Sequence, residues 1–304
     1  MELLVVGSVA YDSVETAAGK RDDMLGGSAT HFSLAAALFA KPGLVAVIGN
    51  DFREEDTTLL REHGVELSGL TTANGPTFRW GGRYHEDMNG RDTLFTQLNV
   101  FESFQPRLEP IHQDASLVFL ANIHPGLQQQ VLDQVKSPGF VALDTMNLWI
   151  DIAKEDLTRV LQSVDGLFIN DEEIRQLTGR RALVKAATDV QQLGVELVVV
   201  KRGEHGAIVF HGEDRFYVPA FPVDEVVDPT GAGDSFAGGF MGYLHQAGDV
   251  SNTTIRRAAV VGTIVASFCV EDFGTDRVST LGMNEVRERY EAFEELVRFE
   301  PLKL

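Results

Sequence analysis

Cysteine is nearly missing: Cys269 is the single thiol in 304 residues. One cysteine excludes an intrachain disulfide and cannot build a zinc site alone, so a small buried apolar side chain is expected there. Lysine is scarce as well, at 7 of the 26 basic residues, against 45 acidic ones and a net charge of −19. A polyanion would be repelled by such a surface, which excludes nucleic acid as a partner. The same acidic, lysine-poor balance suits a salt-rich cytoplasm, and it also suits an ordinary bacterial enzyme. Long apolar runs are absent: the longest, 258–270, falls short of the roughly 18–20 residues that span a bilayer, so no membrane partner is expected. Glu2 stands where a signal peptide needs positive charge, and the expected location is the cytoplasm. Neither Gly-x-x-x-x-Gly-Lys-Ser/Thr nor, after the first apolar run, Gly-x-Gly-x-x-Gly occurs; this removes a Walker nucleotide site and disfavours a dinucleotide oxidoreductase.

What remains is ordinary globular material, 44% hydrophobic and 23% charged, which excludes disorder. Short apolar β-rich runs at 3–6, 44–48, 117–120, 140–143, 166–169 and 197–200 predict strands. Segments of helical spacing lie between or after them at 27–40, 127–135, 155–161, 171–177, 181–193, 233–245, 254–270 and 284–298. Fully apolar strands alternating with helices predict an α/β fold of three layers, a mainly parallel sheet covered on both faces. One stretch departs from the alternation. Residues 77–84 and 93–98 are β-rich and flank an Asn89-Gly90 turn, the pattern of a hairpin. With the residues after Tyr11 it predicts a small sheet standing off the main one, either a lid carrying Arg79, Trp80 and Tyr84 or the surface of a homodimer.

Ligands bind beyond the C-terminal ends of strands in open parallel sheets. The polar residues just after each run are therefore the candidates: Asp12, Gly26-Gly27, Asn122, Asp144 with Asn147, Asn170 with Glu173, and Lys201 with Gly203. The most specific string is Asp228-Pro-Thr-Gly-Ala-Gly-Asp-Ser-Phe-Ala-Gly-Gly-Phe240. Glycines at 231 and 233 allow successive N–H groups, with Ala232 between them, to turn toward one point, and the helix that starts there adds its positive end. Such a loop is an anion hole. Asp234 at its lip is placed to take a proton from a hydroxyl attacking phosphorus. The competing reading makes Asp234 a helix N-cap and the glycines packing residues.

These residues carry a resemblance. The Asp228–Phe236 string resembles the second motif of the ribokinase-like family of carbohydrate and nucleoside kinases. Gly26-Gly-Ser-Ala-Thr-His-Phe-Ser-Leu-Ala-Ala36 resembles the first, and Asn170-Asp-Glu-Glu173 its Asn-x-x-Glu element. The resemblance covers essentially the whole chain. It implies one kinase domain over 1–304 with a β lid from about 11–22 and 71–100, and ATP-dependent phosphorylation of a hydroxymethyl group on a sugar. A nucleoside kinase, with stacking from Phe78, Trp80, Tyr84 or Phe95, is the alternative; an inactive binder of the same fold is a more distant one. By resemblance Asp234 is the base, Gly231, Ala232 and Gly233 the anion hole, and Asp12, Gly26, Gly27 and His31 the substrate contacts; Asn122, placed after its strand, is expected to line the cleft beside them. His31 stands where many relatives have Asn. Asn170, Glu173, Lys201 and Gly203 would serve ATP, with Glu173 reaching Mg2+ through water. The segment 267–274 falls where some relatives bind K+. Local readings compete with these: a turn for Asp12, a structural partner for His31, a solvated first-turn residue for Glu173, and a β-turn at 201–206.

Overall fold

The computed structural model describes residues 3–300. β1 (Leu3–Val6) is four apolar residues, all buried. Successive side chains on a strand face opposite sides, so Leu3 and Val5 enter one apolar cluster while Leu4 and Val6 enter another across the sheet. Around it lie β4 (Gly43–Gly49), β5 (Leu70–Ala73), β8 (Leu117–Leu120), β9 (Phe140–Asp144), β10 (Gly166–Asn170), β11 (Leu197–Lys201), β12 (Ala207–His211) and β13 (Asp214–Val218). They form a nine-stranded sheet in the order β13-β12-β11-β10-β9-β8-β1-β4-β5. The pairs from β11 to β5 are parallel, and β12 and β13 add on antiparallel. The two antiparallel strands were not among the expected ones; they follow a turn at Gly203–His205 that reverses the chain after β11. Helices cover both faces of this sheet, the expected three layers.

The small sheet comprises β2 (Ala10–Thr16), β3 (Gly19–Gly26), β6 (Phe78–Tyr84) and β7 (Arg91–Gln97), in the order β3-β2-β6-β7. The expected lid boundaries therefore shift. Residues 70–73 are not lid but the edge strand of the main sheet, where Ala46–Gly49 of β4 pair with them in parallel, while β3 carries the lid on to Gly26. The helix expected over 27–40 is regular only over Ser28–Ala36 and runs into a turn through 37–39; Pro42 disfavours helical backbone at Lys41.

Two more helices join Ser28–Ala36 on the Leu3 and Val5 face of the sheet, Ala232–Ala247 and Asn252–Cys269. The Ser28–Ala36 helix is buried on every side and crosses Ala232–Ala247 closely: a Cβ at Gly238 would stand 2.3 Å from the Phe32 carbonyl oxygen. Gly238, Gly239 and Gly242 are packing glycines, as their spacing suggests, and that part of the competing reading of the glycine string holds. No helix among the described residues is long and apolar enough to cross a membrane.

Candidate active site

The C-terminal ends of β8, β9, β10 and β11 bring Asn122, Asp144, Asn170 and Lys201 to one edge of the sheet, beside the Asp228–Asp234 loop, which the lid touches through Tyr84. Gly231 holds φ +75 and serves as the N-cap of the Ala232–Ala247 helix with no side-chain bond. Asp234 is thus three residues into the first turn, and the N-cap reading of it fails. The amide of Ala232 closes on Pro229 O at 3.2 Å, and Ser235 N donates to Gly231 O at 2.8 Å. The Gly231, Gly233 and Asp234 amides have no acceptor among the described residues. The cradle therefore differs from the expected one: Ala232 is spent, and the Asp234 amide takes its place.

Asp234 is half-buried, with neither a hydrogen bond nor an ion pair among the described residues. Burial, reinforced by Asp144 and Asp12, pushes its carboxyl up to about 8, against the pull of Lys201 and Arg91. Asp12 lies within β2, not in a turn. Its Oδ2 accepts the Gly27 amide at 3.2 Å, and burial with the Asp228 charge pushes it up to about 7. Gly26 and Gly27 are dictated by space: a Cβ at Gly26 would stand 2.0 Å from that same Oδ2, and Gly27, at φ +92, would meet Ser8 O at 2.5 Å.

Lys201 is the half-buried cation of the site. Its Nζ lies 2.6 Å from Asp144 Oδ2, and a Cβ at Gly233 would stand 3.0 Å from it. Burial pulls the ammonium down, but Asp144, Glu173 and Asp234 outweigh it and hold it above its ordinary value. Gly203 begins a 3-10 turn at φ +52, and a Cβ there would come within 2.8 Å of Asn89 Oδ1 at the lid tip. The turn and the strand end are both real, so the two readings of 201–206 merge.

Three expected contacts change character. Asn170 and Glu173 form a capping box, Glu173 N on Asn170 Oδ1 at 2.8 Å and Asn170 N on Glu173 Oε2 at 2.9 Å. Asn170 is therefore engaged by the helix, whereas Glu173 keeps one carboxylate oxygen unbonded; burial, with Asp144, pushes it up to about 7. It is half-buried, not the solvated residue of the competing reading. The Asn122 amide is spent on Trp149 Nε1 at 2.8 Å and Met146 Sδ at 3.2 Å. His31 is 1% exposed, and neither ring nitrogen has a partner or contact with solvent. Its ring lies against Gly231, where a Cβ would stand 2.2 Å from Nδ1, and burial pulls it down to about 4. The neutral ring supports the loop from below and does not line the cleft, because the helix carrying it is buried all round.

Sequence reasoning missed the ties that hold this loop. Asp228, fully buried, accepts the Thr230 and Gly274 amides at 2.9 Å each. Thr230 donates to Tyr84 Oη of the lid at 3.1 Å. Arg91 was missed too; only the hairpin register reveals its place. Asn147 is exposed, and its Oδ1 accepts only the amide of the next residue, Leu148, at 3.0 Å. Cys269 is buried as expected, its thiol 3.6 Å from Thr230 O. Among the described residues, no group of three His, Cys, Asp or Glu side chains could hold a metal by itself.

Comparison with known proteins agrees with this architecture. The profile described as "pfkB family carbohydrate kinase" matches residues 2–280. A cytidine kinase of Thermococcus kodakarensis is 34% identical over 251 residues, 80% of this chain and 88% of that one. A nucleoside kinase of Methanothermobacter thermautotrophicus is 28% identical over 310 residues, covering 90% and 91%. Among solved structures, a Methanocaldococcus jannaschii nucleoside kinase of the ribokinase family superposes with a TM-score of 0.78 at 20% identity, over 96% of this chain and 99% of that one. A putative ribokinase II from E. coli, solved with ATP and Mg2+, gives 0.80 at 20% identity over the same shares.

Proposed function

Because the chain belongs to the pfkB family of carbohydrate kinases, we propose that it transfers the γ-phosphoryl group of ATP to the hydroxymethyl group of a pyrimidine nucleoside. The observation that carries the chemistry is Asp234, an unpartnered carboxylate beside three unspent amides. Held near neutrality by burial, it accepts the hydroxyl proton as that oxygen attacks. The Gly231, Gly233 and Asp234 amides receive the oxygens of the migrating group, and Lys201, fixed by Asp144, adds a positive charge that needs no rearrangement. Asp12 orients the acceptor by taking hydroxyl hydrogen bonds.

A magnesium ion, when bound, offsets charge on the phosphates. Glu173 fits it: its free oxygen lies in a site where burial and Asp144 disfavour an uncompensated negative charge. One protein oxygen suffices for an ion held mainly by phosphates and water. The reading includes no potassium: the carboxylates in and beside 267–274 are engaged, Glu271 by Arg277 and Arg289, Asp272 by the Phe273 amide and Asp228 by the Thr230 and Gly274 amides.

The sequence alone puts a sugar first. Two features move the nucleoside ahead: the identity with a cytidine kinase, and Trp80. The β2–β6 register sets Trp80 beside Asp12, and its indole lies across Gly82, where a Cβ would be 2.2 Å away. That flat surface suits a base. Phe78 is occupied in stacking on Phe101, and Tyr84 is tied to Thr230. A second copy would pair on β7, the exposed edge strand that carries Leu94 and Phe95.

ADP release over cytidine, other nucleosides, ribose and inositol tests the reading. The highest kcat/KM is expected with a pyrimidine nucleoside. Turnover of free sugars alone would reverse the substrate assignment, and no turnover of any would leave a binding protein.

A further inference from the structure

The amide of Gly231, the first of the cradle, belongs to the Thr230–Gly231 peptide. That unit is planar and trans, so its N–H points away from the Thr230 carbonyl, and whatever fixes Thr230 aims the amide. Every polar atom of Thr230 is held. Its N–H donates to Asp228 Oδ1 at 2.9 Å, its carbonyl oxygen lies 3.6 Å from the Cys269 thiol, and its hydroxyl donates to Tyr84 Oη at 3.1 Å. Asp228 and Cys269 belong to the main body, the first fully buried and the second ending the Asn252–Cys269 helix. Tyr84 comes from the lid. A second lid contact closes on the other end of the same stretch, Thr16 Oγ1 donating to Val227 O at 2.8 Å. Val14 and Tyr84 of the lid also pack on Phe273. The lid thus grips 227–230 at both ends, directly ahead of the cradle.

Within the kinase reading above, on which this inference rests, we propose that Tyr84 is a positioning residue: through Thr230 it sets the plane of the Thr230–Gly231 peptide, so that docking of the lid aims the Gly231 amide at the migrating phosphoryl group. A main-chain donor contributes through its direction, because a hydrogen bond weakens steeply as its angle departs from linear. Gly231 makes the tie necessary. It sits at φ +75 and has no side chain to resist a turn of the peptide before it. The Cys269 thiol is a weak donor, so the hydroxyl bond to Tyr84 is the stronger hold beyond the Thr230 amide. The cradle is then completed by the same movement that encloses the acceptor, which ties transfer to an occupied cleft.

A double-mutant cycle tests this. Tyr84→Phe removes the hydroxyl and keeps the ring that packs on Val14 and Phe273, and Thr230→Val removes the donor and keeps the shape. Each should lower kcat about tenfold, the scale of one hydrogen bond, and leave the KM for the acceptor within about threefold. The double variant should lose no more than either single one, because both break the same bond. Thr230→Ser keeps the hydroxyl and should retain most of the activity. A second readout needs no turnover. Tyr84→Phe should weaken binding of ADP with Mg2+ and aluminium fluoride, a mimic of the phosphoryl group in flight, by about tenfold, and binding of ADP with Mg2+ alone by less than about twofold. An unchanged kcat in Tyr84→Phe, losses that multiply in the double variant, a loss confined to acceptor KM, or ADP alone weakened as much as the mimic would each overturn the proposal. Wild-type turnover separates the two levels: if the wild type phosphorylates nothing, the kinase reading fails, and if it is active while Tyr84→Phe keeps its kcat, only the role of Tyr84 fails.

Discussion

Replacing Asp234 by Asn should pull activity and stability in opposite directions. The folded carboxyl sits at about 8 against an ordinary 3.8, so at about 1.4 kcal/mol per unit its full ionisation in the fold costs roughly 6 kcal/mol. Water in the open cleft screens part of that, leaving about 2–3 kcal/mol. The sign follows from linkage. A group whose folded value is raised favours the fold while protonated, and that advantage is lost as pH climbs from the unfolded value toward the folded one. Asn does not titrate. The Tm of Asp234→Asn minus that of the wild type should therefore be near zero at about pH 4, grow through neutrality and level off above about pH 8. At roughly 2 °C per kcal/mol for a chain of this size, the plateau is about 5 °C. Turnover should meanwhile fall by about a thousandfold, the scale of a lost general base. Calorimetric melts of both proteins across this pH range decide the matter. A difference that does not depend on pH, or a variant less stable than wild type throughout, would refute the assignment of a strained, cleft-facing carboxyl.

Gly231→Ala should cost about 2–4 kcal/mol, combining left-handed backbone strain with overlap on His31. Adding His31→Ala should relieve the overlap alone, giving a coupling of about 1–2 kcal/mol in urea melts; strictly additive costs would show that the two residues do not touch. For the surface, a charge of −19 predicts a melting temperature that rises from dilute buffer to roughly molar KCl, as counterions screen the mutual repulsion. Maximal stability in dilute buffer would remove the salt-adapted reading.

The main sheet was legible because strands buried on both faces write themselves as unbroken apolar runs; β1, β8, β9, β10 and β11 lie within a residue of their expected limits. β5 was hidden, since Leu70-Thr-Thr-Ala73 reads equally well as lid or edge. The Asp228–Asp234 string was legible as a cradle, but which amides stay free depends on how the turn closes, and Ala232 N on Pro229 O leaves no trace in sequence. His31 misled for a physical reason: the Ser28–Ala36 helix has no exposed face, so a polar residue on it carries no directional signal. Arg91 needed the β6–β7 register: the turn spans 85–90 rather than the two residues Asn89-Gly90, so its cross-strand partner is Tyr84 and not Met88.

The backbone-to-backbone seam at Gly238 has an evolutionary corollary. With no side-chain cushion between the helices, the catalytic half of the cleft is locked in place, and adaptation to a new acceptor is channelled into the strands overhead. On the proposed function, a lineage built on this frame would exchange one acceptor for another by rewriting Trp80 and its neighbours, leaving the Asp228–Asp234 loop as it is.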